Sequence, residues 1–130
     1  MEAEDLFQII EKTYESMRAG EYGFAINAGY YDFDKEKILP PGQGKKVTQE
    51  SKEIGYNNLL ESYKHSIVLE SMCLLYQENY NPPSDVDEFL EEAKRVKKLG
   101  EEFINLLRED NRPKRDSLLK FFKLIKKWSN

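Results

Sequence analysis

The sequence predicts an all-α fold, an antiparallel helical bundle of four main helices plus a basic amphipathic C-terminal helix. Three observations predict it. Apolar residues recur at spacings of three and four along most of the chain, which places them on one side of successive helices. No segment alternates apolar and polar residues with period two, so no strand is expected. With one exception, the interruptions are short and rich in Gly or Pro, which makes consecutive helices antiparallel neighbours.

Leu6, Ile9, Ile10, Thr13, Tyr14 and Met17 define a first helix over residues 3–18, opened by acids that suit the helix dipole. Ala19-Gly20 is expected to break it. A second helix follows with Tyr22, Ala25, Ile26, Gly29, Tyr30 and Phe33 on its stripe, and its small residues Gly23, Ala25, Ala28 and Gly29 let another helix approach closely. Residues 34–47, which contain Pro40-Pro41 and Gly42-Gln43-Gly44-Lys45-Lys46, form the long loop.

The third and longest helix covers residues 48–78. Its expected buried stripe is Tyr56, Leu59, Leu60, Tyr63, Ile67 and Leu74, widened by Ile54, Val68, Met72 and Leu75. Thr48 is placed to cap its start, and Pro82-Pro83 forbids continuation. Gly55 weakens it locally, so its first turns are expected to separate as a short helix. Ser84 caps the fourth helix, with Asp87 three residues on, and the stripe runs through Val86, Phe89, Leu90, Ala93, Val96, Leu99, Phe103, Ile104 and Leu107. After Asp110-Asn111-Arg112-Pro113, residues 114–129 carry Leu118, Phe121, Phe122, Leu124, Ile125 and Trp128 on one arc and Lys120, Lys123, Lys126 and Lys127 on the other.

Composition bounds the class. A chain of 130 residues is one domain, able to bury a core without disulfide or metal staples. Hydrophobic residues at 39% and charged residues at 34% place it outside the disordered class. One cysteine excludes an internal disulfide and fits a reducing compartment, and the acidic opening is unlike a secretory or transit signal. A cytoplasmic location is expected, with no transmembrane segment. The net charge of −4 is unevenly divided: residues 112–130 hold seven basic residues against Asp116, which makes them +6 and leaves −10 on the rest. An acidic body with a basic tail invites head-to-tail self-association and confines any nucleic-acid contact to the tail.

Few residues offer chemistry. His65 and Cys73, the only residues of their kinds, lie eight apart on the third helix, too few for a metal site. Cys73, between Met72 and Leu74, reads as a small buried hydrophobe rather than a nucleophile. The run Gly42-Gln43-Gly44-Lys45-Lys46 superficially suggests phosphate binding. The Walker pattern, however, needs a glycine where Leu39 stands, and no strand precedes it. No catalytic, cofactor or metal residue is therefore expected.

Two stretches resemble the HEPN superfamily of helical bundles. Residues 18–31, RAGEYGFAINAGYY, resemble that family's short turn and second helix, where a Gly-x-Tyr pair such as Gly20 to Tyr22 precedes an Ala-rich, Tyr-ending run. Residues 86–107, with Glu92-Ala93-Lys94 inside them and Tyr80 and turn residues before them, resemble its late helix. Together they cover about a third of the chain. The resemblance implies a dimer-forming bundle, and in many members a metal-independent ribonuclease or toxin-module component. That activity uses an Arg and a His separated by four to six residues. Here the required window before His65 holds Asn58, Leu59 and Leu60, so the resemblance implies a non-catalytic member.

The expected function is a non-catalytic protein-interaction subunit that self-associates or joins a larger assembly. A nucleic-acid-associated role would use Lys45, Lys46, Lys120, Lys123, Lys126 and Lys127, with Trp128 as a further partner contact, and would weaken steeply with salt. A degenerate HEPN-like ribonuclease is the third reading.

Overall fold

The computed structural model describes residues 2–27, 31–32, 37–38 and 48–110. Among them three long helices carry the fold: α1 (Ala3–Asn27), α2 (Gln49–Asn79) and α3 (Ser84–Asp110). Between α1 and α2 lies one short antiparallel pairing of β1 (Tyr31–Asp32) with β2 (Lys37–Ile38), in which Tyr31 faces Ile38 and Asp32 faces Lys37. Apart from it the described residues are all-α or connecting turns. Residues 28–30 and 33 of the expected second helix, residues 34–36 and 39–47 of the expected long loop, and the expected C-terminal helix over 114–129 lie outside the described residues.

The first two of the four expected main helices are one helix. α1 passes through Ala19-Gly20 without interruption and ends at Asn27, so Tyr31 and Asp32 fall in the strand pairing instead. The reason is a close helix contact. A Cβ on Gly20 would stand 2.7 Å from the backbone oxygen of Asn58 and 2.9 Å from Cβ of Ser62. Gly20 thus lets α2 touch the α1 backbone, and that contact offsets the roughly 1 kcal/mol that a mid-helix glycine costs. Gly23 meets Asn58 in the same way, through its side chain at 2.6 Å. Gly55, too, is buried inside an uninterrupted α2 and sets off no separate helix.

The ends of α2 follow the sequence reading. Thr48 caps it, with its Oγ1 accepting from Ser51 N–H at 3.1 Å and Ser51 Oγ accepting from Thr48 N–H at 3.1 Å. At the far end the N–H of Tyr80 still bonds to the Tyr76 carbonyl at 2.9 Å, after which Pro82-Pro83 end the helix. Ser84 lies in the first turn of α3, and Asp87 accepts from Gln77 Nε2 at 2.7 Å, so Asp87 ties α3 to α2.

α2 is central, with α1 and α3 each packed along it and little contact between those two. Both pairings are antiparallel. From Phe7 to Phe24, α1 meets α2 residues in falling order, Tyr76, Ser62 and then Tyr56. From Asp87 to Glu101, α3 meets Gln77, Glu70 and Tyr63. The main core unites Leu6, Ile10 and Met17 of α1 with Leu69, Cys73 and Tyr76 of α2 and Val86, Leu90, Ala93 and Val96 of α3. Phe7, Tyr14 and Phe89 close its edge, Tyr14 and Phe89 with ring centroids 4.4 Å apart.

Candidate interaction surface

The two faces of α2 are built differently. Its buried line is Leu59, Ser62, Ser66, Leu69, Cys73 and Tyr76, a run of three- and four-residue steps. Half of these residues are small. Ser62 Oγ donates to the Met17 carbonyl of α1 at 2.7 Å, and Ser66 Oγ donates to the Tyr63 carbonyl at 2.5 Å, so neither hydroxyl is left unsatisfied. Small, self-satisfied side chains let the neighbouring helices come close.

Half of the stripe expected to be buried points outward. Of its members Leu59 is fully buried, whereas Ile54, Ile67, Val68, Leu74 and Leu75 are exposed, Val68 at 49% and Leu75 at 50% of their surface. The apolar side chains of α2 therefore occupy nearly its whole circumference, and periodicity alone did not identify the inward arc. α1 and α3 take the arc whose small residues allow the closest approach.

The outward face is ordered. At about 100° per residue, Ile67 and Leu75 lie about 40° to either side of Ser71, and Val68 and Leu74 about 60° to either side. Lys64 and Glu78 continue the centre line, two turns before and after Ser71. Lys64 is strongly exposed and bonds Glu61 at 3.2 Å within its own helix, while Ser71 Oγ donates to the Ile67 carbonyl at 3.2 Å. Clustered branched apolar residues flanked by charge are what a partner helix requires, and a monomer rarely leaves such a patch bare.

Among the described residues the interior holds one acidic side chain that sequence reasoning missed. Glu21 of α1 is fully buried beside Ser62, whose hydroxyl donates to the Met17 carbonyl, and its carboxylate oxygens lack a well-formed hydrogen bond among the described residues. Burial pushes its carboxyl well above the ordinary value of 4.5, the charge of Glu92 pushes the same way, and Arg18, Ser62 and Arg95 oppose. Nearby, Arg95 bonds Glu92 at 3.0 Å, and the Arg18 guanidinium lies 5.6 Å from the Tyr14 ring centroid. The signal was Glu21 sitting four residues after Met17 and three before Phe24, on the apolar side of α1.

The residues with candidate chemistry are dispersed. Cys73 is buried, and burial, with help from the charge of Asp87, pushes its thiol up to about 11, which suits packing rather than nucleophilic attack. His65 is half-buried, and Glu61, four residues before it, pairs with Lys64. No group of three His, Cys, Asp or Glu side chains among the described residues is placed to hold a metal ion. Glu70, Lys94, Lys97, Lys98 and Glu101 line an open depression between α2 and α3, where Lys97 bonds Glu70 at 3.2 Å. The expected contact residues Lys45, Lys46, Lys120, Lys123, Lys126, Lys127 and Trp128 lie outside the described residues. Among those described, no helix is long and apolar enough to cross a membrane.

Compared with known proteins, the chain matches no family model, no curated protein and no solved structure.

Proposed function

We propose that this chain is a non-catalytic protein-interaction subunit and that it works through the outward face of α2. One observation carries the reading: Ile67, Val68, Leu74 and Leu75 stand exposed on a helix whose opposite face already anchors two neighbours. A helix apolar on all sides belongs inside an assembly. Among the described residues two helices cover one side, and the other is the side offered to a partner. Leaving that much apolar surface in water is unfavourable by about 25 cal/mol for each Å², which is the driving force for association.

The test is the double variant Val68→Asp, Leu75→Asp, examined by light scattering and by pull-down against the unmodified chain. Both positions are half exposed, so the fold tolerates the change, and helical circular dichroism is expected to be retained. The wild type is expected to associate, with itself or with a captured protein, and the variant to lose that association. Equal association by both proteins, or none by either, contradicts the reading.

A further inference from the structure

We infer that the outward face of α2 docks against the same face of a second copy of this chain, antiparallel, about a two-fold axis passing beside Ser71. The inference rests on the interaction reading above and names the occupant of that surface.

The face is complementary to its own reverse. Turning a second α2 end for end about Ser71 sets residues before Ser71 against residues equally far after it in the other copy. Ile67 then meets the partner's Leu75, and Val68 meets the partner's Leu74. Each apolar layer repeats on the other side of the axis, as an isologous two-fold contact requires. Lys64 comes opposite the partner's Glu78, and Glu78 opposite the partner's Lys64, so each end of the contact carries an opposite-charge pair. Parallel docking would instead set Lys64 against Lys64 and Glu78 against Glu78. At the centre stands Ser71, the smallest residue of the face, where two helices must come closest.

The contact has natural limits. From Lys64 to Glu78 it spans about 21 Å at 1.5 Å per residue. Beyond Glu78 the chain turns through Pro82-Pro83 into α3, which ends the helical surface. An interface of one helix per copy is small, so the dimer forms reversibly and its population follows concentration. Lys64 already lies 3.2 Å from Glu61, and the partner's Glu78 adds a second acid beside it.

The full chain with Lys64→Glu, with Glu78→Lys, and as an equal mixture of the two, tests this by sedimentation equilibrium. Each single variant sets like charges together at both ends of its own dimer, and self-association is expected to weaken roughly tenfold or more. In the mixed dimer both ends carry opposite charges again, so the mixture is expected to associate about as well as wild type. Two variants that stay apart when mixed, while Val68→Asp, Leu75→Asp still abolishes wild-type association, would overturn the two-fold register and leave the interaction face standing. A wild type that stays monomeric at every concentration, yet captures another protein that the same double variant loses, would overturn the second copy as occupant. A monomer in which Glu78→Lys lowers the melting temperature and Lys64→Glu does not would overturn it too, pointing to the basic residues 112–130 of the same chain.

Discussion

The inner and outer faces of α2 invert the usual expectation about what a helix buries. Inside are Ser62, Ser66 and Cys73 between larger residues, and outside are Ile67, Val68, Leu74 and Leu75. The inner face gains by closeness: small residues and satisfied hydroxyls let α1 and α3 reach the helix, and Leu59, Leu69 and Tyr76 fill the space between. The outer face holds apolar surface that α1 and α3 leave exposed. Among the described residues, burial is thus decided by which arc allows the best packing, and the apolar residues of the other arc stay exposed, which is what the proposed interaction rests on.

If the two faces differ in this way, equal truncations must have unequal effects. Leu69→Ala removes a fully buried side chain and is expected to cost about 3 kcal/mol in urea unfolding of dilute, monomeric protein. Leu75→Ala, made at a half-exposed site, is expected to cost no more than about 0.5 kcal/mol under the same conditions, while weakening association. Similar losses at both sites would mean that the outer face is core after all.

A pH-dependent effect belongs to the polar side of the same contact. Glu21 lies against Ser62 with a carboxyl whose folded pKa is raised above 4.5, chiefly by burial. The folded protein therefore holds a proton there more tightly than the unfolded chain does. Stability from this group is fully present below about 4.5 and is lost as pH rises through the folded pKa, by up to ~1.4 kcal/mol per pH unit. Glu21→Gln removes the titration, so it is expected to raise the melting temperature at neutral pH and to leave it nearly unchanged below 4.5. A variant that destabilises at neutral pH would show that the carboxylate is held by partners such as Arg18 and Arg95.

Much of the framework was legible beforehand. Thr48 and Pro82-Pro83 bounded α2, the line Val86, Leu90, Ala93 and Val96 gave the buried side of α3, and Cys73 read correctly as buried. These features depend on local chemistry or on a single apolar stripe. What escaped reading depends on neighbours. Gly20 looked like a helix breaker because its value lies in the approach of Asn58 and Ser62 from another helix. The orientation of α2 was hidden because serines and a cysteine count as weak core residues, although they fit a close contact well. Glu21 was passed over because charge is a poor marker of burial, and only its position between Met17 and Phe24 revealed it.

The most direct measurement is a cross-link at the proposed axis. In Ser71→Cys the new thiol is exposed, while Cys73 is buried with its thiol pushed up to about 11, so only the introduced sulfur reacts under mild oxidation. A disulfide needs Cβ atoms within roughly 4 Å, a distance that two copies of position 71 approach beside a two-fold axis and two copies of position 64 do not. A dimer linked through position 71 is expected, formed quickly and in proportion to the associated fraction, with Lys64→Cys remaining unlinked. Equal linking at both positions, or none at 71 in a protein that associates, would contradict it.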